Sequence, residues 1–262
     1  MVEESIRAFA NAASKKVGYL KKDLMGYFLL SILAGIYVGL GVILIFSIGA
    51  PLKAVGDAGV KALMGASFCV ALTLVIFAGS ELFTGNNMIM TIGALNKKIK
   101  LIDLIKLWVI CYIGNLVGSV LLAYVVSFSG VMSGPVASSF IAKVAVAKGS
   151  GAFVALFWKA VLCNLLVCLA VWMSGRTNND MAKIFLIFWC LFAFIGSGYE
   201  HSVANMTLIS VGKLVGGGTV TWQMLIHNLI PVTLGNIFGG CLLGAAYYVI
   251  SRKNLTIEKD GE

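Results

Sequence analysis

Apolar residues recur at helical spacing from the first residues of the chain. Val2, Ile6, Phe9, Ala13, Val17, Leu20 and Leu24 share one stripe, and Arg7, Lys15, Lys21 and Lys22 lie off it. Residues 1–23 are therefore predicted to form an amphipathic helix, lying on a membrane surface or against a helical bundle. They lack the continuous apolar core of a cleaved signal, so the first span downstream is expected to direct insertion. From Leu24 onward the pattern changes to long stretches nearly free of charge. These are Leu24–Leu52, ending near Pro51; Ala62–Asn96, interrupted only by Glu81; and Leu107–Ala142, a span followed by a loop around Gly130, Gly134 and Pro135. Gly149–Gly175 follows with Lys159 inside, then Ile184–Gly212 interrupted only by Glu200, then Leu214–Ser251 with a Gly-rich loop at its start. About 20 apolar residues cross a bilayer. The pattern predicts six transmembrane helices over residues 24–251 and a short tail over 252–262.

Composition strengthens this reading. Of 262 residues, 60% are hydrophobic and 12% charged, and the mean hydropathy is +0.96. Soluble domains carry about 25% charged residues, so a soluble globule is excluded and function must lie within the membrane. The net charge of +9 would suit a nucleic-acid partner, but the cations fall in short loops, as a topology signal does. The N-terminal segment, the loop with Lys97, Lys98, Lys100 and Lys106, the loop with Arg176 and Lys183, and the tail hold 14 of the 20. Both termini are therefore expected in the cytoplasm. The six cysteines all lie in apolar runs without a CxxC pair and read as small core residues.

The two halves of the chain repeat. Gly114-Asn115-Leu116-Val117-Gly118 matches Gly235-Asn236-Ile237-Phe238-Gly239; Gly79-Ser80 matches Gly196-Ser197; Asn87-Met88 matches Asn205-Met206. Three spans per half require the second half to enter the membrane inverted. The predicted architecture is an all-α membrane protein with a 3+3 inverted repeat and a substrate path at the repeat interface. Spans two and five each carry one acid in a run rich in Gly, Ser, Thr and Asn, which is poor continuous helix. Both are predicted to be broken, with Glu81 and Glu200 accepting hydrogen bonds from the freed N–H groups. Thr84 and His201, each five residues after the matched glycine, are expected as symmetry mates facing each other near the bilayer centre. Half-helix N-termini nearby would favour an anion.

The segments Phe77-Ala78-Gly79-Ser80-Glu81-Leu82-Phe83-Thr84-Gly85-Asn86, Gly198-Tyr199-Glu200-His201-Ser202-Val203-Ala204-Asn205-Met206 and Asn228-Leu229-Ile230-Pro231-Val232-Thr233-Leu234-Gly235-Asn236 resemble those of the formate/nitrite transporter family. The likeness runs from about Ala8 to Ser251. It implies an aquaporin-like protomer in a homopentamer in the bacterial inner membrane. Each protomer would have its own pore for a small monovalent anion or its acid, and no cofactor. Within the family the hydrosulfide-channel branch is the most similar, with formate or nitrite as the other substrates. By this resemblance Leu72, Leu82 and Phe83 form a cytoplasmic constriction, and Phe68 and Phe194 an outer one. Thr84 lies on the segment near the constriction and His201 is the central polar group. Lys148, in the loop between spans three and four, attracts anions, and Asn205 and Asn236 are supporting polar positions of the pore.

Read without the resemblance, these residues have simpler roles. Lys148 is an ordinary loop charge; Phe68, Leu72, Phe83 and Phe194 are core; His227 is structural. No carboxylate–histidine spacing suggests a metal. Three other functions compete with this reading. A neutral-solute channel of the aquaporin kind would carry Asn-Pro-Ala boxes, and none of Pro51, Pro135 and Pro231 follows Asn. An intramembrane hydrolase using Ser197 and His201 lacks a GxSxG elbow. A proton-coupled carrier of formate or nitrite differs from a channel only in saturable, ion-coupled flux.

Overall fold

The computed structural model describes the backbone of residues 2–260 and the side chains of residues 2–252. The described residues form eleven helices: α1 (Val2–Lys22), α2 (Leu24–Ala54), α3 (Val60–Ser67), α4 (Cys69–Phe77), α5 (Phe83–Leu95), α6 (Leu101–Ser129), α7 (Pro135–Gly149), α8 (Phe153–Ser174), α9 (Asp180–Gly196), α10 (Ser202–Val215) and α11 (Trp222–Asp260). Five stretches are long and apolar enough to cross a membrane: Leu24–Ala54, Val60–Phe77, Leu101–Ser129, Phe153–Ser174 and Trp222–Arg252. The region expected as a broken fifth span is divided into α9, of 17 residues, and α10, of 14. The chain turns away from helix between them, so neither piece reaches spanning length.

Several boundaries differ from the sequence reading. Leu24 does not continue the stripe of α1. Asp23 accepts a 2.7 Å hydrogen bond from the N–H of Gly26, caps α2, and leaves Leu24 exposed on the new helix. Helix α2 runs through Pro51 to Ala54. The segment after Gly134 is a helix rather than a loop, because Pro135 stands at its first position, where its missing N–H is not needed. The stretch beyond Ser251, expected as a tail, continues α11 to Asp260, and Gly261 and Glu262 lie outside the described residues.

The apolar face of α1 is spent on protein. Ile6, Phe9, Ala10, Ala13, Val17 and Leu20 are buried. Phe9 stacks at 5.1 Å on Trp172 of α8, which stacks at 4.1 Å on Tyr247 of α11. The methyl of Ala13 lies so close to Gly93 of α5 that a Cβ there would collide with it.

Two helix pairs, α2 with α6 and α8 with α11, are held by glycines at repeat-related positions. A Cβ on Gly118 would strike the carbonyl of Ile32, and one on Gly114 the Cβ of Ser31. One on Gly235 would strike the carbonyl of Phe157, and one on Gly239 that of Val161. Close backbone approach is what small residues permit between membrane helices. The small-xxx-small spacings of both halves are therefore consumed inside the protomer.

Candidate pore and its two ion-paired mouths

Helix α4 ends at Phe77 and α5 begins at Phe83; α9 ends at Gly196 and α10 begins at Ser202. Each break contains a glycine in the left-handed region, Gly79 at φ +75° and Gly198 at φ +72°. Side chains rarely adopt that conformation, so glycine is strongly favoured at both positions. The polar groups freed by the two breaks are satisfied in the same way. Glu81 N–H donates to the carbonyl of Leu30 and Glu200 N–H to that of Lys159. Phe83 N–H donates to Asn115 Oδ1 at 3.0 Å, and Ser202 N–H to Asn236 Oδ1 at 2.9 Å. Asn115 Nδ2 donates to the Glu81 carbonyl and Asn236 Nδ2 to the Glu200 carbonyl.

These matched bonds relate the two breaks at a separation of 119 residues, from Glu81 to Glu200. That corrects the expected alignment. Gly79 pairs with Gly198, not Gly196, and the counterpart of His201 is Leu82, each being the residue that caps its half-helix. Thr84 and His201 still meet, with Oγ1 and Nε2 2.9 Å apart. They meet from non-equivalent positions.

The carboxylates also behave differently from expectation. They take up no backbone N–H of the breaks. Glu81 accepts from Lys16 Nζ at 2.6 Å, from Tyr27 Oη at 3.0 Å and from Asn86 Nδ2 at 2.9 Å. Glu200 accepts from Asn205 Nδ2 at 2.6 Å and pairs with Lys148 Nζ at 2.8 Å. An anion buried to this degree must be charge-compensated. The asparagines one helix away do the work at the breaks because a neutral amide accepts and donates at once. Lys148 is not in a loop; it stands in the last turn of α7 and reaches inward to Glu200.

His201 is the side-chain cap of α10. Its Nδ1 accepts from Ala204 N–H at 3.1 Å. An accepting Nδ1 carries no proton, so in this arrangement the imidazole is neutral with its proton on Nε2, donated to Thr84 Oγ1. The Thr84 hydroxyl then keeps its own hydrogen to give.

His201 opens on a small, almost wholly apolar chamber with Phe68, Leu72, Leu82, Leu191 and Phe194 in its wall. Its volume of about 10 Å3 is that of roughly one water. Phe68 and Phe194 meet edge-on at 5.4 Å, and Phe194 lies face to face with His201 at 6.0 Å. Leu72 and Leu82 also line a larger vestibule of about 420 Å3 that contains Lys16, Glu81 and Asn86. These two leucines thus divide vestibule from chamber. Phe83 is in neither wall; its ring packs edge-on against Tyr112 and Trp108 of α6. Asn205 and Asn236 hold Glu200 and the α10 N-terminus from behind and do not line the chamber.

The family model described as formate/nitrite transporter matches residues 3–250 of this sequence. The chain belongs to the formate/nitrite transporter family. The "Nitrite transporter NirC" of Salmonella typhimurium (strain LT2) is 44% identical over 260 residues, covering 97% of this chain and 94% of the relative. A solved "FNT family ion channel" superposes with a TM-score of 0.90 at 42% identity, covering 94% of this chain and 98% of that one. A "Pentameric formate channel with formate bound" superposes with a TM-score of 0.76 at 28% identity, covering 88% and 98%. The family is made up of membrane transporters and channels rather than enzymes.

Sequence reasoning missed four residues of this formate/nitrite transporter site: Lys16, Tyr27, Asn86 and Asn115. Lys16 borders the apolar stripe of α1, among N-terminal cations that read only as a topology signal. Asn115 was visible in the repeated Gly-Asn motif as the mate of Asn236, and that signal could have found it.

Proposed function

We propose that the protein is a channel for small monovalent anions or their weak acids, with one pore through each protomer of a homopentamer in the bacterial inner membrane and both termini in the cytoplasm. The observation that carries this reading is the Thr84–His201 contact beside an apolar chamber of one-water size. A hydrated anion does not fit there, and apolar walls oppose it by dewetting. A bare anion in that position is expensive. The Thr84 hydroxyl offers a hydrogen bond, and the imidazole offers one from Nε2–H or, once protonated from the medium, a proton, which lowers the barrier for a small oxyanion or its conjugate acid.

The path runs from the vestibule of Lys16 and Glu81, past the Leu72–Leu82 constriction, to the chamber, and out past Phe68 and Phe194 toward Lys148. The two half-helices belong to a six-span, 3+3 inverted repeat, and the matched hydrogen bonds of the two breaks support it. Lys16 faces the cytoplasmic mouth and Lys148 the outer one. An anion arriving at either mouth competes with a carboxylate for a lysine ammonium, which gathers it without trapping it.

Nitrite and formate are the first substrates to test, since relatives and a solved neighbour are named for them. Hydrosulfide, the branch suggested by the sequence resemblance, is a third. The test is flux of each anion into proteoliposomes containing the purified protein. Non-saturating flux of nitrite or formate that follows the substrate gradient supports the channel. Saturable uptake that requires a proton gradient establishes a coupled carrier instead, and rapid flux of hydrosulfide alone assigns that branch. A mass other than five protomers for the active detergent-solubilised protein would remove the pentamer.

A further inference from the structure

A second charged cavity lies away from the pore, at the end of the bundle where α1 begins. Its volume is about 580 Å3, and it is framed by three separate elements. Glu3 and Arg7 come from α1, Asn96 and Lys97 from the turn after α5, and Tyr248 and Arg252 from α11. Among the described residues of its wall, three cations stand against one carboxylate. One guanidinium N–H of Arg252 donates to Tyr248 Oη at 3.0 Å, and the guanidinium lies over that ring, which orients it.

Lys97 is held in an unusual way. It has φ +58°, the sole positive φ of a non-glycine residue among those described. The N–H of Lys97 donates to the Ala94 carbonyl and that of Lys98 to the Gly93 carbonyl. That bond pattern ends a helix with a left-handed residue, and glycine is the usual occupant. A lysine there accepts backbone strain at the wall of the cavity. Strain of this kind gathers at ligand-binding positions.

We propose that this cavity binds a phosphate-bearing anion, clamping the start of α1 to the α5 turn and to α11. The Arg7 guanidinium supplies planar, bidentate donors suited to phosphate oxygens, and Lys97 and Arg252 add positive charge at the cavity wall. Tyr248 and Asn96 add neutral polar groups. A phospholipid headgroup and soluble phosphate share this chemistry. The binding is independent of the transport reading, because none of these residues lines the chamber or its vestibule.

The test uses the purified full-length protein in a neutral detergent at fixed pH and ionic strength. Thermal unfolding is followed while sodium phosphate replaces sodium chloride, and separately while dioleoylphosphatidylglycerol replaces dioleoylphosphatidylcholine. The expected result is a saturable rise in Tm with phosphate, with phosphatidylglycerol, or with both. Arg7→Gln/Lys97→Gln should raise the apparent Kd for the active ligand at least tenfold. Lys97→Gly removes the charge while suiting the left-handed backbone, so weakened binding in that variant cannot be ascribed to misfolding. A response to phosphate alone assigns a soluble ion, and one to phosphatidylglycerol alone a lipid headgroup. No saturable response to either, or wild-type affinity in both variants, overturns the proposal.

Discussion

His201 Nε2 lies 2.9 Å from Thr84 Oγ1 while His201 Nδ1 accepts the N–H of Ala204. One imidazole thus caps a half-helix with one nitrogen and addresses the pore partner with the other. Protonating Nδ1 would remove the cap, so the contact and the protonation state are linked. His201→Asn retains a good cap and a polar tip, but nothing that titrates. Its flux should survive, with a pH profile set only by the protonation of the substrate. His201→Phe loses both bonds; its flux should fall at least tenfold and its stability by about 1 kcal/mol. Stopped-flow flux at several pH values checks both. A wild-type pH profile in His201→Asn would make the imidazole a packing element.

The two lysine–glutamate pairs should be separable from folding. Removing Lys16 or Lys148 alone leaves a buried carboxylate uncompensated, which costs of order 3 kcal/mol. Lys148→Gln is therefore expected to be clearly less stable than Lys148→Gln/Glu200→Gln, and the same should hold for Lys16 with Glu81. The paired variants should fold yet conduct less at low ionic strength, where attraction of the anion matters most. Equal Tm in single and paired variants, measured by thermal unfolding, would contradict the ion-pair account.

The asparagines behind the breaks make a third prediction. Asn115→Ala and Asn236→Ala each orphan the first N–H of a half-helix and take one donor from each of two carbonyls. A buried unpaired polar group costs about 1–3 kcal/mol. Each variant should unfold at lower temperature than Asn205→Ala, which removes an amide but orphans no backbone N–H. The reverse order in a thermal unfolding series would place the support of the breaks elsewhere.

The chamber wall separates true constriction residues from neighbours. Leu82→Ala and Phe194→Ala should widen the path and admit larger anions such as lactate. Phe83→Ala should leave selectivity close to wild type and mainly lower stability, by about 3–5 kcal/mol, because its ring packs on Tyr112 and Trp108. Matching leak in all three variants would return Phe83 to the constriction.

Hydrophobic runs and charge placement, which are local properties, determined a good deal by themselves. A membrane protein, the amphipathic α1 and the long helices follow from residue order, since each helix satisfies its own backbone bonds. The interruptions at Gly79–Leu82 and Ser197–His201 were legible for the same reason: glycine, serine and acid at mid-span are poor helix. The meeting of Thr84 with His201 was also anticipated, though from an alignment two residues out of register.

What only the tertiary structure decided is which group answers which. Carboxylates and asparagines are equally plausible partners for a freed N–H on paper. Distance assigns the N–H groups to Asn115 and Asn236 and gives the carboxylates to Lys16 and Lys148. Lys16 is far from Glu81 in the chain, so no spacing rule could join them; the packing of α1 against α5 brings the cation to the acid. Phe83 differs from Leu82 by one position, and the extended backbone of Leu82 ahead of the first helical residue rotates the two side chains apart. That rotation sends Leu82 into the chamber and Phe83 against α6, a distinction invisible until the half-helix is set in place against its neighbours.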